Sequence, residues 1–173
     1  LFLRKKAISA PPEYKAEIIG ECQNSEVSDA MKRVLQPEGL RVRGDGTVFC
    51  EIWLRKAIPQ KPGSLGTDYN TLEAGAFAGL IVYSSRGGDY RGQTIKPGVY
   101  SLRYLAMPAD GNHMGASPTP HYFMLAPAGM DKDPDVAIAY DDLVKLSAKA
   151  AGTSHPTALY LETPAGGGTP AFC

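Results

Sequence analysis

The stretch Leu40 to Lys56, LRVRGDGTVFCEIWLRK, constrains the fold more than any other part of the chain. Gly44-Asp45-Gly46 can supply the positive φ values of a tight turn. On the following arm Val48, Cys50, Ile52 and Leu54 alternate with Phe49, Glu51, Trp53 and Arg55. Alternation at period two marks a strand with unlike faces. The first set reads as core. The second reads as a partly wet face anchored by Trp53. An antiparallel hairpin of this kind needs further strands before it is stable in water.

The rest of the chain offers them. Tyr14, Ala16 and Ile18 alternate with Lys15 and Glu17, which predicts a half-buried strand. AFAGLIVY (76–83) is an apolar run of strand length. Pro97-Gly98 predicts a type II turn, followed by a strand with Tyr100, Leu102 and Tyr104 on one face. HYFMLAP (121–127) and TALYLET (157–163) read as the closing strands. Two segments carry helical spacing instead. Val27, Met31, Val34 and Leu35 share a helical face, with Asn24 or Ser25 as cap and Pro37 as stop. Leu143, Leu146 and Ala150 share another, with Asp141 and Asp142 at its start, Lys145 and Lys149 toward its end, and Gly152 beyond it. Nineteen Gly and 14 Pro in 173 residues supply the turns such a chain needs.

The expected fold is mainly β: an antiparallel β-sandwich or small barrel with about two peripheral helices, near 25–36 and 140–151. A parallel βαβ sheet is disfavoured by the small number of helices. Residues 1–20 read as an extended N-terminal arm or strand, 21–163 as the β-domain, and 164–173 as a Gly/Pro-rich C-terminal tail.

Charge narrows the partners. Lys+Arg and Asp+Glu both number 18, so nothing favours a nucleic-acid partner held by phosphate neutralisation. No apolar run approaches the roughly 20 residues of a membrane helix, so no membrane span is expected. LFLRKK at the start is not followed by an apolar segment, so it is no intact signal peptide; a processed N-terminus is expected. The cysteines are Cys22, Cys50 and Cys173, without a C-x-x-C pair. In an oxidising compartment Cys22 and Cys50 can bridge, leaving Cys173 for a contact between molecules. The other reading is three free thiols.

Chemistry-bearing residues cluster in two loops. PADGNHMGASPTPHYF (108–123) holds Asp110, Asn112, His113 and His121. Asp110, His113 and His121 carry the oxygen and nitrogen donors of a zinc site, though the histidines lack the close spacing of helical ligands. The same residues without a metal read as a long hairpin connection. Asp131, Asp133 and Asp135 resemble the start of a calcium loop, but Val136 and Asp142 stand where an EF-hand needs Gly and Glu, so only a looser calcium site is open. Ser117 lies between His113 and His121 without a nucleophile elbow. Glu51, Asp89 and Glu162 are scattered rather than paired for glycoside chemistry. Phosphate-cradling Gly motifs are absent. Trp53, Tyr90, Tyr100, Tyr104 and Tyr122, interleaved with Arg55, Arg91 and Arg103, can form a sugar-binding face, or simply reflect the preference of strands for aromatics.

IKPGVYSLRY (95–104) resembles the P-G-x-Y-x-L hairpin of secreted bacterial β-sandwich modules, the transthyretin-like and collagen-binding B-type repeats. The longer run GTVFCEIWLRK, YRGQTIKPGVYSLRY, DGNH and FMLAP is similar to secreted or periplasmic bacterial proteins, over about Leu40 to Leu161. The resemblance implies an extracytoplasmic sandwich with Tyr100 and Leu102 in the core, and it carries over no catalytic residue.

The leading expectation is a non-enzymatic extracytoplasmic domain with a structural or interaction role, partnered by copies of itself in an oligomer or filament. Residues 1–18 would add a strand to a neighbour, with Tyr14, Ala16 and Ile18 filling pockets there; the competing reading pairs that strand within its own chain. The second expectation is a carbohydrate or small-ligand site built from Trp53, Arg55, Tyr104, Asn112, His113 and His121. The third is a metal-dependent enzyme using His113 and His121. No cofactor is expected; zinc at Asp110, His113 and His121, or calcium at Asp131, Asp133 and Asp135, is the open exception.

Overall fold

A computed structural model describes residues 14–66, 68–89, 91–107 and 119–161. The strands are β1 (Tyr14–Ile19), β2 (Gly39–Gly44), β3 (Thr47–Leu54), β4 (Phe77–Tyr83), β5 (Gly87–Gly88), β6 (Thr94–Ile95), β7 (Gly98–Ala106), β8 (His121–Pro127) and β9 (Ala158–Tyr160). The helices are α1 (Asp29–Val34) and α2 (Tyr140–Ala151). Seven strands form one antiparallel sheet in the order β1-β2-β3-β4-β7-β8-β9, and β5-β6 make a small separate hairpin. The sheet curls, and the expected mainly β fold with two helices is the fold found.

Local chemistry sets the elements. The β2–β3 turn is made by Asp45 and Gly46, both at positive φ, which matches the twist of the strands it joins. Gly44 has a different duty. A Cβ there would lie 2.7 Å from the Tyr14 ring on the adjacent strand. Gly98 does not close a type II turn, which would hold it near +80°; it opens β7 at φ 156. Helix α1 is shorter than its apolar spacing predicts. Its cap is Ser28, which accepts from Met31 N at 3.2 Å, rather than Asn24 or Ser25. Helix α2 matches its expected span.

Two bulges add to the curl, since an extra residue bends a strand and increases its twist. In the β2–β3 ladder Val42 pairs with Cys50 and Arg43 with Val48, so Phe49 is the extra residue. Phe49 therefore joins the face of Cys50 and Ile52, and Val48 moves opposite Arg43. The strict alternation expected for this arm breaks here. A second register shift lies between Phe77 and Gly79 on β4.

The two sheet faces are covered differently. On the convex face residues 20–35 pack Cys22, Val27, Met31 and Leu35 against Trp53, Leu80 and Val99. Farther along it, α2 packs Leu143 against Tyr122, Met124 and Ala126. The concave face gathers Cys50, Ile81, Tyr83, Tyr100, Leu102 and Leu125, flanked by half-buried Val42, Phe49, Ile52, Phe123 and Leu159.

Candidate binding face

The curl turns the concave face into an apolar trough. One edge strand supplies Tyr14 and the other supplies Leu159 and Tyr160, with Leu161 just beyond it, so the walls come from opposite ends of the sheet. Between them lies a cavity of ≈ 290 Å³ floored by Val42, Ile52, Ile81, Leu102 and Phe123. A second cavity of ≈ 290 Å³, lined by Ile18, Pro37, Leu40, Ile52 and Leu54, shares Ile52 and Leu54 with the first. The trough thus extends under β1 and β2. Aromatic rings line one wall in edge-to-face order: Tyr14 to Phe49 at 5.5 Å between centroids, then Phe49 to Tyr83 at 5.8 Å.

Two groups in the trough, Cys50 and Tyr83, are held in neutral forms by burial. The Cys50 thiol is pushed up to about 11, by burial first and by Glu51 second. Burial raises Tyr83 as well. Among the described residues every buried side-chain nitrogen and oxygen has a hydrogen-bond partner, so no orphaned polar group waits for a ligand. The chemistry such a trough offers is apolar and aromatic contact.

The residues singled out in the sequence lie elsewhere or are committed. Trp53 sits on the convex face, 5% exposed, with Nε1 donating to Gly20 O at 2.8 Å. Its ring closes the core under residues 20–35, and stacking on a sugar would require removing that cover. Arg55 donates to Asp135 Oδ1 at 2.7 Å and to the Pro134 carbonyl. Asp133 Oδ1 accepts from Asp135 N at 2.9 Å.

Asp131 faces inward, not toward a cation site in solvent. It is 4% exposed and takes Arg103 Nε at 2.8 Å and Nη2 at 2.5 Å, with Ser101 Oγ donating to it at 2.5 Å. Arg103, 0% exposed, also donates to the carbonyls of Gly75, Asp133 and Val136. The DKDPD segment is thus a loop clamped by an arginine from β7. No group of three or more His, Cys, Asp or Glu that could hold a metal occurs among the described residues.

His121 and Tyr104 do come together, at the β7–β8 end of the concave face under the 59–72 loop. Tyr104 Oη lies 2.6 Å from Tyr69 O and 2.8 Å from His121 Nδ1. A carbonyl only accepts, so the Tyr104 proton goes to Tyr69 and the neutral imidazole donates from Nδ1. The rings of Tyr69 and Tyr104 flank it at 5.2 and 6.0 Å. Burial lowers the His121 pKa below its ordinary value; Asp68 opposes that and Lys61 adds to it. Asp110, Asn112 and His113 lie outside the described residues, as do Tyr90, Cys173 and the 164–173 tail.

Cys22 and Cys50 do not bridge. Both are buried free thiols, Cys22 in the convex cluster and Cys50 in the concave one, with the sheet between them. Of the expected N-terminal arm, residues 1–13 lie outside the described residues, while Tyr14, Ala16 and Ile18 lie in β1, which pairs antiparallel with β2 of its own chain, from Tyr14↔Gly44 to Ile19↔Gly39. The trough itself was hidden from sequence reasoning, because Phe49 reaches it only through the bulge. No helix among the described residues is long and apolar enough to cross a membrane. Compared with protein-family models, curated proteins and solved structures, the chain matches none.

Proposed function

We propose that this chain is a non-enzymatic interaction domain whose working surface is the apolar trough of its curled sheet. The observation that carries the reading is the lining: aliphatic and aromatic side chains from seven strands converge on one cavity, with the Cys50 thiol and the Tyr83 phenol held neutral. A concave apolar site of this size suits an aliphatic or aromatic group, presented by a small ligand or by a partner's side chain. The extracytoplasmic setting implied by the resemblance belongs to the same proposal, as does association with further copies of the chain.

A test uses an environment-sensitive naphthalene dye. Titrated into the full chain, it should bind saturably at one site, and Ile52→Lys, which places a charge where the two cavities meet, should abolish that binding while the variant still unfolds cooperatively. Absence of saturable binding, or equal binding by Ile52→Lys, would overturn the proposal. The glycan version has less support, since Trp53 is already under cover.

A further inference from the structure

Among the described residues β1 pairs on one side only, with β2, and its other edge ends the sheet. Its concave-face side chains stand in solvent: Tyr14 is 53% exposed and Ile18 70%. On its convex face half-buried Ile19 packs against the core, and Lys15 and Glu17 present one charge of each sign. Such an edge is a template for another strand unless something blocks it.

We infer that two copies of this chain pair edge to edge through β1, antiparallel about a two-fold axis at Ala16. The inference deepens the interaction reading above and rests on it for the claim that this domain works by association. Residues Tyr14 to Ile18, YKAEI, are self-complementary in this register. Tyr14 lies opposite the partner's Ile18, Ala16 opposite the partner's Ala16, and Lys15 opposite the partner's Glu17, each pair occurring twice or on the axis. An aromatic beside a β-branched residue and a cation beside a carboxylate are the favourable cross-strand pairs.

The neighbouring registers are closed by charge. An antiparallel pair must keep like faces together, so the axis moves in whole residues. Placed at Lys15, it sets that lysine against the partner's Lys15. Placed at Glu17, it sets two carboxylates against each other. Within one chain Lys15 already stands across the ladder from Arg43, while Glu17 accepts from both Arg41 and Arg43. The dimer brings the partner's Glu17 to the lysine and extends this ladder of charges across both sheets. On the opposite face it joins the two troughs, with Tyr14 and the partner's Ile18 covering each other at the seam.

Two measurements on the full chain test this, in a Cys173→Ser background so that only introduced thiols report. Sedimentation velocity up to about 1 mM, the weak end of specific association, should show a concentration-dependent dimer. Lys15→Glu should weaken it about tenfold by opposing like charges twice. That variant puts a carboxylate across from Arg43 and so leaves the β1–β2 ladder intact. Under mild oxidation Ala16→Cys should crosslink with itself, because residues on the axis lie within disulfide reach. Lys15→Cys and Glu17→Cys should crosslink when mixed and not alone. A monomer throughout the concentration range, or Lys15→Cys crosslinking with itself as readily as Ala16→Cys, overturns the inference. Ala16, Lys15 and Glu17 do not line the cavity, so dye binding without a dimer, or a dimer without dye binding, separates this failure from that of the trough reading.

Discussion

Arg103 shows how one residue can organise a whole side of the molecule. Its guanidinium binds Asp131 in a fork and three backbone carbonyls, and lies 5.5 Å from the Phe77 ring centroid. Removing one partner of such a buried pair leaves the other charged and dry. Arg103→Met is therefore expected to cost about 3–5 kcal/mol of unfolding free energy in a denaturant titration, and Arg103→Met with Asp131→Leu to recover part of it. A single variant as stable as the parent would contradict the clamp. His121 makes a pH-dependent contribution of known sign. Its folded-state pKa lies below the unfolded value of 6.5, so the neutral ring favours the fold. That stability is present above pH 6.5 and is lost as the pH falls through the folded value. The denaturation midpoint should drop from pH 7 to pH 5 more in the parent than in His121→Asn; equal slopes would remove His121 from the account. In the sequence neither role was visible. Arg103 alternates like any outward strand residue, and the partners that bury it lie about thirty positions away.

At the scale of elements the sequence was more informative. The β2–β3 hairpin, β7 and α2 follow from periodicity and β4 from an apolar run of strand length, because such patterns act over a few residues and do not wait for the fold. The failures have local causes. Helix α1 loses its expected first turn because residues 24–27 form a turn of their own, with Asn24 Oδ1 accepting from Glu26 N at 2.9 Å. The β3 alternation fails at Phe49 because a bulge is decided by pairing, not by the strand itself. Helix α2 is tied to the last strand by one hydroxyl. Ser147 Oγ accepts from Thr157 N at 2.8 Å and donates to Thr157 O at 3.1 Å, fully buried. Ser147→Ala leaves both groups without that partner, and a loss of about 1–3 kcal/mol in thermal or chemical unfolding is expected. A change within error would mean that the helix is held by its apolar face alone.

For the whole molecule, the trough links stability to binding. It touches strands from both ends of the sheet, so an occupant contacts only the curled state and stabilises it by mass action. At a hundred times its dissociation constant the dye should add about 2.7 kcal/mol to the unfolding free energy, read as a rise in Tm that Ile52→Lys does not show. Spacing and composition alone already point to a mainly β chain with two helices, and they place most of its strands and α2. The folded chain alone reveals that His121, Asp131 and Trp53 are committed, that Cys22 and Cys50 lie on opposite sides of the sheet, and that one face closes into a trough. These depend on the curl, and the curl comes from bulges and pairings between residues far apart in the chain.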